Sequence, residues 1–475
     1  MMGRWLKRMV LGTAIFLVLL LVGAGWYLSD TLPISSGHAA KTICSNVFIS
    51  GRDAQNVFKE DIAPLHFLFA ITDFKVDPDA KTVIADTFGF AKLQAIYRDG
   101  CGCTILRGIT ADEFRQQQIG YNPPSRYLPE QRLKLPWPAG DHGPVLSLPP
   151  GVDAAKLESA IDAAFAEPSP QNLRKTRAVV IVYGGKLIAE RYAPGFDPNT
   201  PQLAWSMSKS VTNALVGLLV KKGKLQLNSP APVPEWQQAD DPRQKITLDQ
   251  LMRMSAGLEF NEAYAPFSDA VYMFYDSRDF AAYAALKPLE AEPDAKWNYS
   301  SGTANIIARI VRQAIEKEHT NYYEYLYRNL FHKIGMLSLV MEPDPSGTIV
   351  GSSYMFATPR DWARFGLLYL QDGIWDGERI LPEGWVKYTT TPTSQAPKGE
   401  YGALFWLNAG APENPSDRLM PSVPTDVFFA RGFQEQRVFI VPSRKLVLVR
   451  FGATSDRSAW SDDAFVADVL TALPQ

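Results

Sequence analysis

"LAWSMSKSVTNALVGLLVKKG", residues 203–223, sets a serine at the entrance of an apolar, helix-patterned run, with a lysine three residues further on. A serine in that place is ordinarily a helix cap. With a helix starting near Ser206, the i, i+3 spacing also puts Ser206 and Lys209 on one face, one turn apart. First-turn N–H groups and the helix dipole then lie beside the serine, where they favour a developing oxyanion and disfavour an ammonium. Burial acts on a lysine in the same sense. The pair is therefore a candidate nucleophile and base. It is the sole Ser-x-x-Lys in the chain, although a sequence this long holds about one such match by chance.

Two other stretches strengthen the reading. "WNYSSGTANIIARIV" (297–311) places Tyr299, Ser300 and Ser301 just before a second helix pattern. A tyrosine beside a serine–lysine pair can carry a proton to a leaving group. "FFARGFQEQRVFIVP" (428–442) leads a glycine, Gly432, into an apolar strand, where a substrate can lie close against the backbone. The backbone N–H near Phe433 and that of Ser206 would together form an oxyanion hole.

In this order these motifs resemble the serine β-lactamase and penicillin-binding-protein superfamily, in its tyrosine-bearing branch of class C β-lactamases, DD-peptidases, esterases and aminohexanoate-dimer hydrolases. The resemblance covers about residues 150–475. It also rests on "LMRMSAGLEFNEAY" (251–264) and "PRDWARFGLLYLQDGIWDGERILPEGWV" (359–386). It implies an acyl-enzyme on Ser206, with Lys209 as base and Tyr299 as proton donor. In relatives the region matching residues 257–276 lines the substrate cleft, which makes Tyr264 and Asp269 candidates for substrate contact. Two positions depart from the penicillin-recognising pattern. Ala430-Arg431-Gly432 stands where a cation, a hydroxyl residue and glycine are expected, and Ser301 replaces the asparagine of Tyr-x-Asn. Both changes weaken a β-lactamase or cell-wall peptidase reading and leave acyl transfer on small amides or esters. A binding module for cell-wall fragments is the other reading, and the full Ser206/Lys209/Tyr299 set argues against it.

The rest of the chain frames this domain. Residues 1–29 are a basic start (Arg4, Lys7, Arg8) followed by Met9–Leu28 without a charge. That run is long enough to cross a bilayer, which takes about 20 apolar residues. The layout fits an uncleaved anchor in the inner membrane or a cleaved signal, and either puts the remainder in the periplasm. Residues 30–120 read as a small β-rich unit, because "KTVIADTFG" and its neighbours alternate apolar and polar residues between turn signals. Residues 121–151 are dense in proline and glycine, as a linker or strap is. From 152 to 475, hairpin patterns at both ends enclose a helical middle. The expected fold class is α+β: an antiparallel sheet flanked by helices, with an inserted helical region.

Composition closes off other classes. A net charge of −2 without basic tracts gives no footing for nucleic acid. The five histidines show no paired ligand spacing, so neither metal nor other cofactor is expected. In an exported protein the three cysteines allow one disulfide. Cys101 and Cys103 are too close for an easy mutual bridge, so Cys44 is expected to pair with one of them, taken as Cys103.

Overall fold

The computed structural model describes residues 2–117, 119–121, 134–319, 321–411 and 413–474. The first helix, α1 (Met2–Phe48), does not stop where the uncharged run stops. Its first half exposes Leu6, Phe16, Leu21, Trp26 and their neighbours. That half is long and apolar enough to cross a membrane, and a signal sequence has the same length and composition. From Thr31 onward the same helix is buried. The sequence argued for a boundary near residue 29 because the uncharged run ends at Leu28, before Ser29, Asp30, Ser35 and Ser36. The helix continues because tertiary partners satisfy those polar groups. Ser35 Oγ lies 2.9 Å from Thr72 Oγ1 and Ser36 Oγ lies 2.8 Å from Thr87 Oγ1.

Those partners belong to a four-stranded antiparallel meander: β1 (Thr72–Asp77), β2 (Thr82–Thr87), β3 (Ala91–Arg98) and β4 (Gly102–Ile105). Val83, Ala85 and Ala95 point to one face, at period two, and meet Ala39, Ala40 and Ile43 of α1. A disulfide joins Cys44 on α1 to Cys103 on β4, and Cys101 remains a buried thiol. Phe67–Ala70 form a helical turn capped by the His66 ring, and the first strand follows it.

The large domain is built on a six-stranded antiparallel sheet. The hairpin at one edge, β5 (Thr176–Tyr183) and β6 (Lys186–Tyr192), comes from the start of the domain. The other strands come from the end: β7 (Trp406–Leu407), β8 (Phe428–Gly432), β9 (Gln436–Val441) and β10 (Leu446–Gly452), in the spatial order β7-β8-β9-β10-β5-β6. The apolar run of β5 is continuous because both faces are covered. Ala178, Val180 and Val182 enter the main core. Val179 and Ile181 face the helices α2 (Ala154–Phe165) and α7 (Asp462–Thr471) through Leu157, Ile161, Phe465 and Val469. Between the two sheet-forming ends lie α3 (Ser208–Lys221), α4 (Asp269–Asp276), α5 (Ser301–Glu316) and α6 (Pro359–Leu370). The architecture is α+β, with an antiparallel sheet flanked by helices.

Of the proline-rich stretch 121–151, residues 122–133 lie outside the described residues. Its remainder runs over the large domain. Arg364 on α6 donates to the Pro138 and Gly140 carbonyls at 3.1 and 2.5 Å, and the Val145 N–H donates to the Leu187 carbonyl at 3.0 Å.

Two buried ionic contacts weld the meander and α1 to the large domain. Lys41 of α1 pairs with Glu342, both inaccessible to solvent. Glu342 also accepts from Ser45 Oγ at 2.7 Å and from the Cys103 N–H at 2.6 Å. Asp61 is held between Arg52 and Arg177 of β5.

Candidate active site

Ser206 sits on a short helical turn, Trp205–Met207, immediately before α3. Trp205 has φ of 50°, a left-handed conformation that is uncommon for a bulky residue and characteristic of over-determined functional turns. On one side of this turn runs β8. A Cβ on Gly432 would stand 2.2 Å from the Ala204 carbonyl oxygen, so no other residue lets the strand come this close. Phe433 follows and packs its ring edge-on against Trp205, with centroids 5.5 Å apart.

The Lys209 side chain is 2 % exposed, and its Nζ has three oxygen neighbours. They are Ser206 Oγ at 3.0 Å, Ser301 Oγ at 3.0 Å and the Ser352 carbonyl at 3.3 Å. Lys209 Nζ also lies 4.7 Å from the centroid of the Tyr299 ring, which it meets on its face. Tyr299 in turn packs against Tyr401 and Trp406.

Ser301 opens α5 and links the lysine to a carboxylate absent from the sequence-based candidates. Its hydroxyl donates to Glu262 Oε1 at 2.5 Å, and its backbone N–H donates to Glu262 Oε2 at 2.7 Å. Tyr264 donates to the same carboxylate at 3.2 Å. Burial, with the Glu262 charge and Tyr299 close by, holds the Tyr264 phenol well above its ordinary pKa, and the neighbouring Ser301 and Ser206 hydroxyls oppose that shift. The ring of Tyr264 is 48 % exposed while its hydroxyl points into the site, so the phenol remains a proton donor at neutral pH.

Asp269 is occupied elsewhere. It accepts from the Asn261 N–H and the Tyr283 hydroxyl, each at 2.8 Å, and pairs with Lys287. Against a burial penalty, those donors keep its carboxyl below the usual range. It ties down the loop that carries Glu262 and Tyr264 and makes its contacts there. The structure thus gathers Ser206, Lys209, Tyr299, Ser301, Tyr264, Gly432 and Phe433 around one turn and leaves Asp269 at the base of the loop. Sequence reasoning missed Glu262 and the Ser352 carbonyl. Glu262's place two residues before Tyr264 was the one local hint, and a backbone carbonyl leaves no trace in composition. Among the described residues no group of three His, Cys, Asp or Glu is arranged to hold a metal.

The Beta-lactamase family model matches residues 161–471, well over half of the chain. The chain belongs to the beta-lactamase family. Among curated relatives, the 6-aminohexanoate-dimer hydrolase of Paenarthrobacter ureafaciens is 24 % identical over 311 residues, 60 % of this chain and 73 % of the relative. Two solved structures share the fold. A D-stereospecific amidohydrolase from a Streptomyces species superposes with a TM-score of 0.50 at 16 % identity, covering 66 % of this chain and 98 % of its own. EstCE1, a hydrolase with promiscuous acyltransferase activity, gives 0.53 at 14 % identity, covering 67 % of this chain and 98 % of its own. The six-stranded sheet and its helices are thus the beta-lactamase architecture, while α1 up to Phe48 and the meander precede the matched residues.

Proposed function

We propose that this protein is a serine hydrolase that forms an acyl-enzyme on Ser206 and cleaves small amides or esters. The surroundings of Lys209 Nζ carry the reading. Ser301 Oγ spends its own hydrogen on Glu262, and the Ser352 carbonyl has none, so both can only accept from the lysine. A neutral amine has two N–H bonds and one lone pair. In a neutral Lys209 whose two N–H bonds stayed on Ser301 and Ser352, the lone pair would face the Ser206 hydroxyl, which hydrogen-bonds Nζ at 3.0 Å. That is the orientation a general base requires.

In acylation the Ser206 proton passes to Lys209 Nζ as the Oγ–carbon bond forms. The N–H groups at the start of α3 and near Phe433 accept the negative charge on the carbonyl oxygen. The bond to the leaving amine or alcohol then breaks as that group takes a proton, and Tyr299, against the lysine, is the carrier. The protonated Tyr264 hydroxyl orients the leaving group. Water attacks the ester carbon in the second half, and the same groups return the proton to Ser206.

Ala430 carries a methyl group where β-lactam recognition needs a cation, and Arg431 beside it rests over the Trp406 ring at 5.1 Å. Poor turnover of penicillins and cephalosporins follows, and efficient nitrocefin hydrolysis would overturn this reading of Ala430. We place the catalytic domain on the periplasmic face of the inner membrane, held by the first half of α1.

The deciding experiment is intact-mass measurement after treatment with a small fluorophosphonate, alongside turnover of p-nitrophenyl acetate. One adduct on the wild type and none on Ser206→Ala is expected, with hydrolysis abolished in the variant. Activity near wild type in Ser206→Ala would end the nucleophile assignment. Tyr299→Phe is expected to lose on the order of 10²–10⁴ in kcat, the usual contribution of a proton-transferring side chain.

A further inference from the structure

The aromatic rings around Ser206 form one wall of a cleft of about 430 Å³, a size that suits a small ligand. Trp205, Tyr264 and Phe433 are on that wall, and the opposite wall comes from α1 and the turn before the meander: Ile34, Leu68 and Phe69. The catalytic domain alone therefore does not make this cleft. The lining is apolar apart from a few groups, among them His38. That ring is 5 % exposed. It is bonded through Nδ1 to the Tyr275 hydroxyl at 2.8 Å, and its Nε2 has no partner among the described residues. A buried polar atom without a partner inside an apolar cleft marks a place where a ligand's carbonyl or hydroxyl would be held.

The cleft lies beside the point where α1 leaves its exposed apolar half. Trp26 stacks on Phe267 with ring centroids 4.9 Å apart. Leu32, Leu68 and Ala91 form one small cluster, and their chain neighbours Phe67 and Phe90 are 64 % and 86 % exposed. Exposed aromatics collected around the exit of an apolar helix are what a membrane–water boundary selects. A contiguous exposed apolar patch of this kind marks an interaction surface.

We infer that the cleft receives the hydrocarbon chain of an acyl ester or amide that resides in a bilayer, and presents its carbonyl to Ser206. The chain would enter between Leu65 and Pro266 and lie along Phe69 and Val271, with His38 meeting a polar group near the carbonyl. This rests on the hydrolase reading of Ser206 and adds the class of substrate to it.

The test uses the full chain in phosphatidylcholine–phosphatidylglycerol vesicles. Wild type should show kcat/KM roughly a hundredfold higher for p-nitrophenyl dodecanoate than for the acetate, the gain expected when about three or four of the added methylenes pass from water into the cleft at about fourfold each. Leu65→Glu and Ala265→Trp, from opposite walls, should each cut that ratio roughly tenfold or more. A ratio near one in the wild type, or one unmoved by both variants, overturns the inference. A preference shown for octanoate in solution but absent for dodecanoate confined to the protein's own vesicles overturns the bilayer source. Two readouts separate this failure from failure of the hydrolase reading. Labelling of Ser206 by a small fluorophosphonate reports the nucleophile alone. Binding of 11-(dansylamino)undecanoate to Ser206→Ala reports the cleft alone, and is expected to weaken in the Leu65→Glu background. Labelling without chain preference or probe binding removes the cleft assignment. Probe binding without labelling keeps the cleft and removes the hydrolase.

Discussion

Between Leu6 and Leu28 the first helix exposes leucines, valines and a phenylalanine, whereas between Thr31 and Asn46 it buries serines, a histidine and a lysine. Both halves belong to one unbroken element. In the buried half, polar groups are core residues because they have mates: Ser35 with Thr72, Ser36 with Thr87, Lys41 with Glu342. Burial without those mates would cost more than the packing returns. The exposed half has apolar side chains and almost no protein to cover them, as a membrane span or a signal sequence has. Burial along this helix follows the partners available and not the hydropathy of its residues.

The comparison can be broken most severely by truncation. Removing residues 1–28 should leave a cooperative unfolding transition, changed by about 1 kcal/mol for the lost Trp26–Phe267 stack. Removing residues 1–48 should abolish that transition, since it strips one wall of the meander core. Urea titration followed by circular dichroism distinguishes the two. Next in size is the ion pair. Burial pushes the Glu342 carboxyl up and the Lys41 amine down, each against the pull of the other. Lys41→Met, which strands the buried carboxylate, should cost about 3–5 kcal/mol. Lys41→Met with Glu342→Leu should recover much of that loss.

The disulfide comes third. Cys44→Ser is expected to cost about 2–4 kcal/mol in the same titration, because the closed loop of the denatured chain is then free. The smallest effect is a pH slope. Burial lowers the His38 pKa to about 4, with Asp61 opposing. A pKa lowered on folding gives stability that is present above the unfolded value and is lost as pH falls toward the folded one. Between pH 7 and pH 5 the wild type should therefore lose about 2 kcal/mol more than His38→Phe. Equal losses would show that this ring is protonated in the fold.

The sequence disclosed what is local. Ser206 and Lys209 are readable because the helix period alone makes them neighbours, and their 3.0 Å contact confirms that geometry. The hairpins around Gly184-Gly185 and Pro442 are readable because runs rich in valine, isoleucine and phenylalanine are bounded there by turn residues. What it withheld depends on distant partners. Glu262 becomes a site residue only when Ser301 is folded against it. Asp269 was a candidate substrate contact because the family resemblance puts residues 257–276 along the cleft, whereas its carboxylate is engaged by Tyr283 and Lys287. The helical continuation through Ser35 and His38 is set by Thr72, Thr87 and Tyr275, none of which the local pattern contains.

The unbroken first helix has one further consequence. Each helical residue advances about 1.5 Å, so His38 in the cleft stands roughly 15 Å beyond Leu28 along the axis. No loop intervenes to vary that standoff. With the apolar half in a bilayer, as proposed, the enzyme works at a fixed height above the hydrocarbon. Its selectivity would then be partly one of depth: two lipids with the same labile bond would be told apart by how far each can raise it out of the membrane.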